Sequence, residues 1–226
     1  MPGPIRILSG GAMRTLMDEA LPLFARATGV PTAIDYRLTA VLKAGIEAGA
    51  AFDVALLPRP ELESLAEGGW IAPPLTDIAR SAVGVCVREG APKPDISTAA
   101  AVEAALRSAR SVAYSDGPSG AYVADLVHKL GLAEDVGPKT RLTSRPVAEL
   151  VAAGEAEIGL QQIVAMLPVK GIALVGALPA ALQNIIIYAA GVSISSPNTA
   201  AARRCIAFMR TAEVLERMRA KGLERG

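Results

Sequence analysis

Residues 5–14 read IRILSGGAMR, a short apolar run that stops at Ser9-Gly10-Gly11 and restarts at Ala12 with helical spacing. Ala12, Met13, Leu16, Met17, Ala20 and Phe24 recur at that spacing, so the pattern is strand, turn, helix. Such a junction leaves the first N–H groups of the helix unpaired and gathers partial positive charge at the turn. The same unit then repeats. Thr32 to Tyr36 is a strand and Val41 to Ala48 a helix ended by Gly49. Phe52 to Leu57 is a third strand, followed by a short helix from Pro60 to Glu67 that ends at Gly68-Gly69. Pro22 is expected to kink or restart the first helix.

The second half uses the same alternation. Strands are expected at Val83–Val87, Ser111–Tyr114, Arg141–Thr143, Glu157–Ile163, Ile172–Val175 and Ile185–Ile194. Helices are expected at Thr98–Ser108, Ala121–Leu130, Pro146–Ala153, Asn198–Arg210 and Ala212–Lys221. Alternating strands and helices predict an α/β architecture with mainly parallel sheets. The runs around Ser81–Val87 and Ile187–Ile194 are alike, each apolar with an internal glycine, and they flank the middle third of the chain. Side by side they would form a hinge between lobes with a ligand cleft between them. The expected division is residues 1–82 plus 193–226 for the first lobe and 83–192 for the second.

Composition narrows the function classes. The chain has 226 residues, 51% of them hydrophobic, and a formal net charge of +1. That near balance, with no basic run, gives no reason to expect a nucleic-acid partner. No apolar run reaches the roughly 18 residues of a membrane helix, so membrane insertion is not expected. Cys86 and Cys205 sit far apart in apolar stretches and are expected to be buried thiols. With a single histidine there is no metal-ligand spacing, and neither metal nor cofactor is expected. Because Ile5–Leu8 already reads as a strand, the sequence as it stands suggests a cytoplasmic protein, and a periplasmic one if a leader has been removed.

Four strand-to-helix turns carry the candidate site. They are Ser9-Gly10-Gly11, Leu38-Thr39-Ala40 after Arg37, Ser115 to Gly120, and Thr143-Ser144-Arg145-Pro146. In open α/β units ligands bind beyond the carboxyl ends of strands, where helix N-termini meet. Ser9, Thr39, Ser115 and Ser119 add hydroxyl donors, and Gly10, Gly11 and Gly120 allow close backbone approach. A serine or threonine before a helix also serves simply as an N-cap. Arg37 and Arg145 suit a carboxylate, which a guanidinium grips with two parallel hydrogen bonds, although surface arginines are commonly just solvated. Gln161 and Gln162 end a strand, so one amide should face the ligand and the other an interior or edge. Asp116 is the carboxylate best placed to act on a bound ligand, yet Asp-Gly is also an ordinary turn dipeptide. His128 reads as a surface residue and Trp70 as packing under a loop.

The stretches IRILSGGAMRTLMDEALPLFARATGV, AGAAFDVALL, SGAYVADLVHKLGL and VAELVAAGEAEIGLQQI together resemble the molybdate-binding branch of the type II periplasmic solute-binding superfamily. The resemblance implies two α/β lobes joined by a double crossover, with an oxyanion held by hydroxyl and backbone N–H groups. It places the serine donors of that branch on Ser9 and Thr39, its N–H donors on Ser119 or Gly120 and near Val147, and its tyrosine donor on Gln162. The loss of that tyrosine and the presence of Arg37 favour an organic carboxylate over molybdate. An ABC permease is the implied partner if the chain is exported.

The same branch includes enzymes resembling aconitate isomerase, which implies an alternative. On that scaffold Arg37 and Arg145 would neutralise carboxylates while a base moves a proton, with Asp116 the leading candidate and Tyr114 behind it.

Overall fold

The first strand, β1 (Ile5–Gly10), alternates buried and exposed residues before ending in two buried ones, Ser9 and Gly10. A single 3-10 turn, Gly11–Met13, leads into α1 (Arg14–Thr28). The computed structural model describes residues 3–116 and 118–226, and Gly117, inside the Ser115–Gly120 turn, lies outside the described residues. Then follow β2 (Thr32–Arg37), α2 (Thr39–Glu47), β3 (Val54–Pro58), α3 (Arg59–Glu67) and the long β4 (Ile71–Arg88). The middle of the chain forms α4 (Ala99–Ser108), β5 (Val112–Ser115), α5 (Pro118–Lys129), α6 (Ala133–Val136), β6 (Thr140–Thr143) and α7 (Val147–Ala153). It continues with β7 (Ile158–Gln162), α8 (Ile163–Met166) and β8 (Ile172–Ala177). The chain closes with β9 (Ile185–Ser193), α9 (Thr199–Phe208), α10 (Ala212–Ala220) and β10 (Glu224–Arg225).

These elements form two units, Met1–Arg80 with Ile186–Gly226, and Ser81–Ile185. The chain passes between them twice, within β4 and at the start of β9. In the first unit the strand order is β2-β1-β3-β9-β4, with β10 also on β4. There β1 runs parallel to β2 and β3, whereas β9 lies antiparallel to β3. In the second unit the order is β4-β7-β5-β6, with β8 also on β4. Its β5 is parallel to β6 and β7, while β4 is antiparallel to β7 and β8.

The sheets are therefore mixed rather than mainly parallel. An apolar run buried on both faces, such as Ala189–Ser193 of β9, has no alternation to mark its direction, so the pattern alone does not distinguish the two pairings.

Helix α1 does not restart at Pro22, since it continues from Arg14 to Thr28. Proline removes the bond to the carbonyl of Asp18 and costs about 3 kcal/mol in a helix interior. Burial on one stripe offsets it. Leu16, Met17, Ala20, Leu21 and Phe24 are all buried, at roughly 1.5–3 kcal/mol for each large side chain. The Phe24 ring meets Phe208 of α9 edge-on, with centroids 5.6 Å apart. Beyond Thr28 the chain turns at Gly29 with φ 71°, a left-handed position that favours glycine.

In the second unit one face of the sheet buries Val83, Val85, Tyr114, Ile158 and Leu160 with Val123 and Leu126 of α5. The other face buries Cys86 and Ala113 with Val147, Ala148 and Val151 of α7. Both cysteines are free and buried, and burial pushes the Cys86 thiol up to about 11 and Cys205 up to about 12. No helix among the described residues is long and apolar enough to cross a membrane.

Candidate functional site

In the first unit the candidate residues gather at the carboxyl ends of β1 and β2. Parallel pairing sets Ser9 beside Tyr36 and Gly10 beside Arg37. Thr39 opens α2, and a Cβ built on Gly10 would come 3.5 Å from its Oγ1, so the β1 turn and the α2 start converge. Among the described residues neither N-cap side chain closes these helix starts: Gly10 precedes the 3-10 turn and Leu38 precedes α2, both without a capping bond. The orphan N–H groups of these turns are thus left for solvent or a ligand.

Neither glycine is demanded by the fold. Gly10 has φ −64° and ψ 148°, which any residue adopts, and Gly11 also lies outside the positive-φ set. An added Cβ at Gly11 would meet nothing within 4 Å. What Gly11 supplies is exposed backbone with no side chain over it. Ser9 is fully buried at the edge of it, its hydroxyl donating to the Gly10 carbonyl at 3.2 Å.

Arg37 lies on the exposed face of β2, where its Nε donates to Asp35 at 2.9 Å. The opposite face carries a grouping that the sequence reading passed over. Arg14, the first residue of α1, stacks over the Tyr36 ring with its guanidinium carbon 4.1 Å from the centroid. The Tyr36 hydroxyl donates to Asp18 at 2.7 Å. Burial, reinforced by that hydrogen bond and charge, pushes the Tyr36 phenol well above its ordinary range. An arginine three residues after Gly11, at the first position of α1, was the available signal.

In the second unit the turn after β5 is tied together by hydroxyls: Ser115 Oγ and Ser119 Oγ lie 3.2 Å apart. Gly120 is required here, because a Cβ on it would fall 1.5 Å from the Ser115 carbonyl oxygen. Asp116 is exposed, and its N–H donates to the Thr143 carbonyl at 3.0 Å. Tyr114 is 8% exposed and its side chain belongs to the apolar core against α5. Thr143 Oγ1 accepts the Arg145 N–H at 2.9 Å, which shapes the β6–α7 turn, and the Arg145 guanidinium donates to Glu155 at 2.9 Å.

The two glutamines at the end of β7 part as strand alternation requires. Gln161 turns toward α7 and its Oε1 accepts the Val147 N–H at 3.2 Å. The helix-start donor at Val147 is therefore already occupied by a side chain of this chain. Gln162 is 5% exposed, and both its amide atoms are buried without a hydrogen-bond partner among the described residues. Parallel pairing of β5 with β7 puts Ser115, Ser119 and Gln162 at the same end of the sheet. A further amide, Gln183, is fully engaged: it accepts from Val83 N–H and donates to the Val83 and Leu178 carbonyls. The structure thus brings the candidates together as two groups, one on each unit. Arg37 and Arg145 sit in exposed ion pairs, and Tyr114 packs in the core.

Comparison with known proteins fits this geometry. The description "Bacterial extracellular solute-binding protein" applies to a family model that matches residues 5–224. An aconitate isomerase from Pseudomonas sp is 31% identical over 236 aligned positions, covering 97% of this chain and 87% of that protein. The substrate-binding domain of a molybdenum ABC transporter from Clostridium difficile superposes with a TM-score of 0.85 at 16% identity, covering 100% of both chains. The periplasmic molybdate-binding protein of Azotobacter vinelandii gives a TM-score of 0.75 at 18% identity, covering 97% of this chain and 98% of that one. With the match running through both units, the chain belongs to the bacterial extracellular solute-binding protein family.

Proposed function

We propose that this chain binds a small organic anion, a carboxylate in preference to molybdate. The carrying observation is the Gly10-Gly11 turn. Neither backbone angle nor crowding calls for glycine there, yet the pair keeps side chains off the turn beside the Thr39 hydroxyl, at two helix starts whose N-cap side chains make no capping bond. Ser9 and Thr39 extend the donor set beside that turn, and Ser115, Ser119, Gly120 and Gln162 are the candidate donors within the Ser81–Ile185 unit. Val147 is released from the role implied for it, because Gln161 holds its N–H.

Arg37 and Arg145 supply the positive charge that separates a carboxylate from a neutral ligand. Each now spends its charge on an exposed acidic neighbour, Asp35 or Glu155. Exposed pairs of this kind contribute about 0–1 kcal/mol, so a carboxylate ligand exchanges with them at little cost. Delivery of the ligand to an ABC permease outside the cytoplasm is the setting that the family description supports.

Thermal-shift titration against molybdate, tungstate, sulfate, and di- and tricarboxylates tests the ligand class. A ligand at 100 times its Kd adds about 2.7 kcal/mol of stability. For a chain of this length that is a rise in Tm of roughly 5–10 °C. The proposal expects this from a carboxylate, and a rise with molybdate or tungstate alone would overturn it.

The aconitate isomerase relative favours a second reading, in which the bound acid is also transformed. A base removes a proton from one carbon, the C=C bond shifts, and a proton returns at the far carbon, leaving the atom count unchanged. Asp116, exposed in the β5–α5 turn, is the better placed base, since Tyr114 is enclosed in the core. This reading requires that cis- and trans-aconitate interconvert, or that the substrate exchanges a C–H proton with deuterated water. Binding with neither event leaves a binding protein only.

A further inference from the structure

Within the Ser81–Ile185 unit, two buried polar side chains end without partners. Gln162 is 5% exposed with Oε1 and Nε2 both unpaired, and Ser81 is 1% exposed with Oγ unpaired, among the described residues. Antiparallel pairing sets Gln162 opposite Val83. Ser81 lies two residues from Val83 on β4, so it shares the face of Gln162 and sits diagonally from it. The packing agrees, because Val83 and Leu160 belong to the core on the α5 side, whereas Ala82 packs with the core on the α7 side.

Neighbouring polar groups do not serve these two. Gln183 spends its amide on Val83, Leu178 and Asn184. Gln161 is taken by Val147, and Ser115 and Ser119 are hydrogen-bonded to each other. An amide buried with both ends empty is costly enough to call for a specific partner.

The chemistry of the amide defines that partner. Nε2 donates and Oε1 accepts. A fully deprotonated oxyanion carries acceptors only, so it would serve Nε2 and set negative oxygen against Oε1. A ligand that satisfies both ends presents an acceptor and a donor side by side. Resting on the proposal that the chain binds a small organic anion, we infer that Gln162 selects a hydroxy-carboxylate. Its Nε2 donates to a carboxylate oxygen and its Oε1 accepts from the hydroxyl on the adjoining carbon, with Ser81 Oγ as a second partner for that hydroxyl.

The test is calorimetric titration of the intact chain with acids that differ by one hydroxyl: each enantiomer of malate against succinate, and citrate against tricarballylate. The hydroxylated member of one pair should bind at least about tenfold more tightly, because a site that hydrogen-bonds a hydroxyl rejects the analogue lacking it. In Gln162→Met, which removes both amide atoms at similar volume, the ratio should fall to about twofold or less. The ligand-free variant should melt no lower than the parent, since losing an unsatisfied amide is neutral or stabilising. Carboxylate binding with equal affinities in every pair, or a ratio that survives Gln162→Met, would overturn the inference while leaving carboxylate binding intact. If no organic acid binds, both fall.

Discussion

At the scale of single residues, the strongest functional signals are side chains and glycines that the fold itself does not use. Arg37 shows the opposite case, a residue whose charge has a partner in Asp35. Because that pair is exposed, Arg37→Ala should shift stability by no more than about 1 kcal/mol. The same change should weaken carboxylate binding about tenfold, read by titration, if the guanidinium transfers to the ligand. The division of labour between Gln161 and Gln162 was legible in the sequence because neighbours on a strand must point opposite ways. Which amide would be left empty was not, since that depends on Val147 standing within reach of Gln161. Arg14 escaped notice for a similar reason. Its role beside Tyr36 arises from parallel pairing of β1 with β2, a contact between positions 14 and 36 that periodicity does not encode.

At the scale of elements, turns decide where the donors stand. Gly120 is fixed by packing, with the Ser115 carbonyl where a Cβ would be. Gly120→Ala should therefore cost about 3 kcal/mol or more in denaturant unfolding, through displacement of the α5 start. Gln161→Leu removes the cap on α7 and should cost about 1 kcal/mol, the usual worth of such a cap. The strand–turn–helix units were readable from the apolar spacing of β1, α1 and α7. The first half of β4 was not, because Ala72-Pro73-Pro74-Leu75 carries the residues that normally exclude a strand. Pro22, a local breaker, does not end α1, because burial along the helix offsets it.

At the scale of the whole molecule, the chain passes between two mixed sheets through β4 and β9. Alternation of strands and helices announced the α/β class. Strand direction stayed hidden, because apolar runs buried on both faces carry no mark of it. Stability as a function of pH belongs to this scale too. The Glu157 carboxyl is held below its ordinary range first by the Arg110 backbone N–H, at 2.7 Å, and also by the Arg110 guanidinium. A depressed carboxyl contributes stability above its unfolded value of roughly 4.3, and that contribution is lost as pH falls through the folded value. Glu157→Gln should therefore lower stability modestly at pH 7 and flatten its decline below about pH 4, as followed by thermal melts across pH. Glu157 is partly exposed, so the effect is small.

Whether the Gly10-Gly11 turn holds a small organic anion is decided by calorimetric titration of the parent chain and of Gly10→Ala. Ala fits the fold at this position, since the angles are ordinary and its Cβ would lie at van der Waals distance, 3.5 Å, from Thr39 Oγ1. The expected result is an unchanged Tm without ligand, saturable one-to-one binding of a carboxylate by the parent, and affinity weakened at least about tenfold in Gly10→Ala. Equal carboxylate affinities in the two proteins, or binding of molybdate alone, would contradict it.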